Sequence, residues 1–113
     1  MKTILLLLIG FGTIISCTRE KVTPIDPNCT VTISFANDVM PILEAHCISC
    51  HQQGNASGGY DLSSYNAIAA NANAVIGSMK ANGYQLMPIG GPALPDSTIQ
   101  KVKCWIEQGK LDN

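Results

Sequence analysis

The chain has 113 residues, enough for one small domain, and is 46% hydrophobic but only 5% aromatic. Seven Lys and Arg against eight Asp and Glu give a net charge of -1, which lacks the basic footprint of a nucleic-acid binder. A domain this small struggles to bury enough apolar surface unaided, so a buried cofactor is expected to complete its core.

The first 16 residues have the organisation of an export signal. Met1-Lys2-Thr3 is a short basic head, and Ile4 to Ile15 is apolar or small throughout. That run is shorter than the roughly 20 residues a membrane-spanning helix needs. Ser16-Cys17, preceded by Ile14 and Ile15, resembles a bacterial lipobox. The resemblance implies cleavage before Cys17, acylation of Cys17 and a mature protein held on the lipid bilayer of the cell envelope. Simple secretion is the alternative. The expected division is a signal peptide over 1–16, a lipidated N-terminus and flexible tether over 17–28, and a folded domain over 29–113. The tether assignment rests on a polar, proline-containing, aperiodic stretch, T-R-E-K-V-T-P-I-D-P-N.

Within the domain, Val31, Ile33 and Phe35 alternate with Thr32 and Ser34, which predicts a short extended segment. From Asp38 the period changes. Val39, Ile42, Leu43 and Cys47 fall at i, i+3, i+4 and i+8, one helical face, with Asp38 as the expected cap and Pro41 in the first turn. Residues 52–59 show neither period and read as a loop. Ser63 or Ser64 can cap a short helix carrying Tyr65 and Ile68, and a further helix carries Val75, Ile76 and Met79. Residues 88–95, P-I-G-G-P-A-L-P, exclude a regular helix interior. A last helix then starts at Asp96 or Ser97, presents Ile99, Val102 and Ile106 on one face beside Trp105, and stops at Gly109. The expected class is a mainly α single domain.

The first helix delivers the chain into C-I-S-C-H, residues 47–51. C-x-x-C-H is a c-type haem attachment pattern. Two thiols at this spacing reach neighbouring vinyl groups, and the adjacent His51 can bind iron from one face. Two rivals remain. A zinc site needs four ligands, and the only other histidine, His46, adjoins the motif. A redox dithiol calls for a βαβ setting, whereas a helix leads in here and a glycine-rich loop leads out. If iron is bound, Met87 is the candidate for its second face, because it lies in a loop and a thioether opposite histidine raises the reduction potential. Met40 and Met79 lie on expected helix faces. Lipidation of Cys17 and haem attachment at Cys47 and Cys50 leave Cys29 and Cys104, an even remainder that can form a disulfide or stay as two buried thiols.

Four stretches resemble the small c-type cytochrome domains of bacterial lipoproteins and planctomycete-like cytochromes: V-M-P-I-L-E-A-H-C-I-S-C-H (39–51), G-G-Y-D-L-S-S-Y-N-A-I (58–68), M-P-I-G-G (87–91) and I-Q-K-V-K-C-W-I-E-Q-G (99–109). The resemblance implies a cytochrome c fold, with N- and C-terminal helices packed around one covalent haem c. It further implies attachment through Cys47 and Cys50, axial ligation by His51 and Met87, and electron transfer outside the cytoplasm, with membrane redox complexes or other cytochromes as partners. Ile89 departs from the pattern, since family members often carry a second proline there. A haem enzyme or sensor with an exchangeable sixth ligand, and a haem-free thiol or disulfide domain, are the alternative functions.

Overall fold

Ser34, not Asp38, opens the first helix. Its hydroxyl accepts a hydrogen bond from the Asn37 amide at 3.2 Å, while Asp38 Oδ2 accepts one from the Ser34 amide at 3.1 Å. The two side chains thus satisfy N–H groups that the helix entrance would leave unpaired. In this computed structural model, which describes residues 26–113, the helical path begins with a π-turn, Phe35–Val39, and continues as α1, Met40–His46. The expected signal segment, the expected lipidation site Cys17 and most of the expected tether lie outside the described residues.

Phe35 therefore belongs to the helix and not to an extended segment. At four-residue spacing, Phe35, Val39 and Leu43 all face inward and are buried. Pro41 falls in the first turn of α1, where a missing N–H costs least. The segment before it forms no strand ladder. The Gln108 side chain takes that place, donating to the Cys29 and Val31 carbonyls at 3.0 and 2.8 Å and accepting from the Ile33 amide at 2.9 Å. Val31 is 64% exposed, so the alternation in the sequence is not matched by burial.

After C-I-S-C-H comes a small antiparallel hairpin of β1, His51–Gln52, and β2, Asn55–Ala56, with His51 opposite Ala56. Gly54, at φ 86°, makes the tight turn between them within what reads as a loop in the sequence. Ser64 caps α2, Tyr65–Ala70, by accepting from the Ala67 amide at 3.3 Å. Then α3, Ala72–Met79, follows directly. The last helix, α4, spans Asp96–Glu107 and has Pro95 at its cap with no side-chain cap bond. The Pro95 carbonyl accepts from the Thr98 and Ile99 amides, and Asp96 lies where the helix dipole favours negative charge. At the other end Gly109 and Lys110 donate to the Ile106 and Trp105 carbonyls at 3.1 and 2.9 Å, a glycine-based stop.

The first and last helices meet through aromatic packing. Phe35 lies 5.1 Å from Tyr65 and 5.5 Å from Trp105, centroid to centroid. Their polar ends are satisfied by the segment after α4: Trp105 Nε1 donates to the Leu111 carbonyl at 2.9 Å and the Tyr65 hydroxyl to the Lys110 carbonyl at 2.6 Å. The buried rings of Phe35 and Trp105 each contribute on the order of 3 kcal/mol, and the partly buried Tyr65 packs against them, so the three carry a core that the low aromatic content made doubtful. Leu43, Ile68, Val39 and Val102 fill the space around them.

A disulfide joins Cys29 to Cys104, 75 residues apart. It clips the start of the domain to α4, and closing a loop of this length is worth about 4 to 5 kcal/mol in the chain-entropy description. Asp26, at the end of the expected tether, is also held on the domain, its carbonyl accepting from Gln100 Nε2 at 2.9 Å. The described residues thus form a small, mostly helical unit with a two-stranded sheet. Among them, no helix is long and apolar enough to cross a membrane.

Candidate functional site

At the end of α1 the chain coils once more. Cys47 and Ile48 both donate to the Leu43 carbonyl, and Cys50 and His51 both donate to the Cys47 carbonyl. The two thiols and His51 therefore sit on one tight turn rigidly continued from a core helix. Cys47 packs against the core, whereas Cys50 is exposed, and both are free thiols. Burial pushes the Cys47 thiol up to about 11, since a low-polarity environment disfavours the thiolate. That makes Cys47 a poor nucleophile at neutral pH.

His51 is held from two sides by the chain that follows it. Its carbonyl accepts from the Leu62 amide at 2.7 Å, and its Nδ1 lies 3.1 Å from the Tyr60 carbonyl. A carbonyl only accepts, so this contact requires the proton on Nδ1. It leaves the Nε2 lone pair free, the arrangement found in histidines that bind metals. Gly58 and Gly59, at φ 65° and 82°, bend the chain so that Tyr60 returns to the imidazole. Sequence reasoning does not reveal this contact, because a backbone carbonyl leaves no residue signature.

Met87 reaches the same place from the other half of the domain. Its amide donates to the Ser78 carbonyl at 3.1 Å, which fixes the loop to the last turn of α3. His51 and Met87 line one cavity of about 320 Å³, together with Tyr60 and Leu62 from the first stretch, Ala74, Val75 and Ser78 of α3, and Tyr84, Gln85 and Ile89 of the following loop. Its size lies at the low end of the roughly 300–1,000 Å³ typical of ligand sites. Cys47 and Cys50 precede His51 on its turn but are not among the lining residues.

The other candidates take structural places. Met79 is 2% exposed in the core and Met40 packs against it, as their helix positions predict. His46 is exposed in the last turn of α1. Among the described residues, no three His, Cys, Asp or Glu side chains are gathered to hold an ion, so the donor set of a four-ligand zinc site is not assembled there. Of the lysines, Lys101 pairs with Asp38 at 3.2 Å, Lys103 with Glu107 at 3.4 Å, and Lys110 donates to the Ala69 carbonyl.

Comparison with known proteins gives one distant similarity. The chain is 32% identical over 78 residues, 66% of its length, to hydrazine synthase subunit alpha of Kuenenia stuttgartiensis. It spans about a tenth of that relative's length. No family model matches the chain, and no solved structure matches it.

Proposed function

We propose that this protein is a membrane-anchored c-type cytochrome, a carrier of single electrons with one covalent haem c. The observation that carries the reading is the convergence of two distant residues, His51 and Met87, on one largely apolar cavity, with the His51 Nε2 left free by the Tyr60 carbonyl. The attachment pattern stands immediately before His51 on the same turn.

The residues fit the group in their chemistry. Cys47 and Cys50 would hold the group covalently, each thiol adding its S–H across one vinyl double bond with no net gain or loss of electrons. The thioethers that result cannot ionise, which suits a sulfur as buried as that of Cys47. His51 offers an imidazole nitrogen and Met87 a thioether sulfur, a pair that favours a raised potential. When bound, haem supplies a one-electron Fe(II)/Fe(III) couple. Leu62 and Val75, 5% and 6% exposed, line the site with apolar side chains, and the backbone anchors of His51 and Met87 would keep both side chains in place in either oxidation state. An acylated Cys17 would tether the domain outside the cytoplasm beside membrane redox complexes or other cytochromes, which donate and accept the electron. No synthase activity is proposed for the chain.

The deciding experiment is a haem stain after denaturing electrophoresis of protein made in a host with c-type haem maturation. Haem is expected to stay with the chain and to be lost in Cys47→Ala/Cys50→Ala. A wild-type band without haem, in a competent host, overturns the electron-carrier reading and returns the motif to thiol or zinc chemistry. Reduced holoprotein is expected to exclude carbon monoxide; rapid binding would replace the closed site with one that has an exchangeable sixth position.

A further inference from the structure

Gly77 occupies the interior of α3, a buried position where glycine weakens a helix relative to alanine. Its backbone there needs no unusual torsion, so conformational freedom does not explain it. Space does. A Cβ built on Gly77 would lie 2.4 and 2.8 Å from Cδ2 and Cε2 of the Tyr84 ring, and 3.2 Å from the Asn82 carbonyl oxygen. The Tyr84 ring therefore rests directly on the helix backbone.

The same turn of α3 holds the rest of the loop. The Gly77 carbonyl accepts from Lys80 and from Asn82, the latter at 2.9 Å, and the next carbonyl, that of Ser78, accepts from Met87. Tyr84 lines the cavity with Met87 and His51, although its side is 44% exposed. A ring open to solvent yet seated on a glycine acts as a wedge between loop and helix.

We propose that Gly77 and Tyr84 are positioning residues for the Met87 thioether: the seat of the ring on bare helix backbone fixes how closely the 80–87 loop approaches α3 and so places the Met87 sulfur at the cavity. This rests on the proposed ligation of iron by Met87. Gly77→Ala pushes the ring and its loop away from α3 while raising the helix propensity of α3, so a weakened helix is not an available explanation for its effect. Overpacking of this kind shifts an equilibrium between bound and released Met87 by about tenfold or more.

The test uses the covalent holoprotein and its Gly77→Ala, Tyr84→Ala and double variants. In ferric protein, the charge-transfer band of thioether-ligated iron is read together with the midpoint potential and carbon monoxide binding after reduction. Gly77→Ala is expected to lose most of the band, lower the potential and admit carbon monoxide, with haem still attached. Tyr84→Ala is expected to lose part of the band, because the loop keeps its backbone bonds to α3 but not its seated ring, and the double variant is expected to match Tyr84→Ala, because the added methyl then has no ring to displace. An unchanged band in Gly77→Ala, or a double variant no better than Gly77→Ala, overturns the proposal. Should Gly77→Ala fail to fold, Tyr84→Ala decides, since an intact band and potential without the ring would refute the wedge. A wild-type protein that stains for haem but shows no thioether band removes the Met87 reading as well, whereas a wild-type band that persists in Gly77→Ala removes only this inference.

Discussion

Cys47 makes the stability of haem-free protein depend on alkaline pH in a way that attachment should abolish. Burial moves its thiol from an ordinary 9.0 up to about 11 in the folded chain. Below the lower value both states keep the proton, and the thiol adds no pH dependence. Between the two values the unfolded chain has released the proton while the folded chain holds it. The unfolded state then binds fewer protons, so stability falls as pH rises, and the loss is complete above the folded value. Full burial would cost about 1.4 kcal/mol per pH unit across this window. Allowing for the partial exposure of Cys47, a total loss of about 1 to 2 kcal/mol is expected.

The assay is urea unfolding at several pH values across that window, on protein made without haem and on its Cys47→Ala variant. The aromatic core and the disulfide lie apart from the cavity lining, so the haem-free chain is expected to fold. Every other titrating group is common to both chains, so the difference between their stabilities isolates Cys47. Cys47→Ala should be less stable at neutral pH and should close the gap as pH rises. Parallel curves would refute the reasoning. In holoprotein, where the sulfur carries no proton, the wild-type slope should match that of the variant.

Two further predictions concern the frame of the site. Cys29→Ala/Cys104→Ala should lower the unfolding free energy by about 4 kcal/mol, read as a fall in the urea midpoint, and a loss below about 1 kcal/mol would show that the cross-link does little to the unfolded chain. Trp105→Ala should cost about 3 to 5 kcal/mol in thermal or urea unfolding, because it empties a site that is 1% exposed and orphans the Leu111 carbonyl. A loss of only about 1 kcal/mol there would mean that the core collapses around the missing ring.

The helices α1, α2, α3 and α4 are legible in the sequence because each carries a local signal: a four-residue apolar period, Ser64 before Tyr65, and Gly109 after Glu107. The free-thiol turn before His51 is equally local, and cysteine parity anticipates the Cys29–Cys104 pair. The start of the first helix is misread because Val31, Ile33 and Phe35 alternate by accident of composition. The competing signal, a reciprocal pair of Ser34 and Asp38, spans the boundary between two apparent periods. The Cys29 and Val31 carbonyls and the Ile33 amide have their partner 75 residues away or more, in the Gln108 side chain, where no local pattern can disclose it.

What the sequence by itself determined is the set of chemically capable residues and their order: two cysteines and a histidine on one turn, and a methionine in a proline-flanked loop. Tertiary structure decided which of them meet. Met40, Met79 and Met87 are chemically alike; the sequence separates them only as helix and loop positions, and packing shows Met79 in the core, Met40 against it and Met87 sharing a cavity with His51. The tautomer of His51 likewise depends on a carbonyl brought back by two glycines, and the place of Met87 on a helix end near Gly77. Local periods record what each segment buries. Distances between segments depend on how those buried faces fit together, and that is a property of the whole fold.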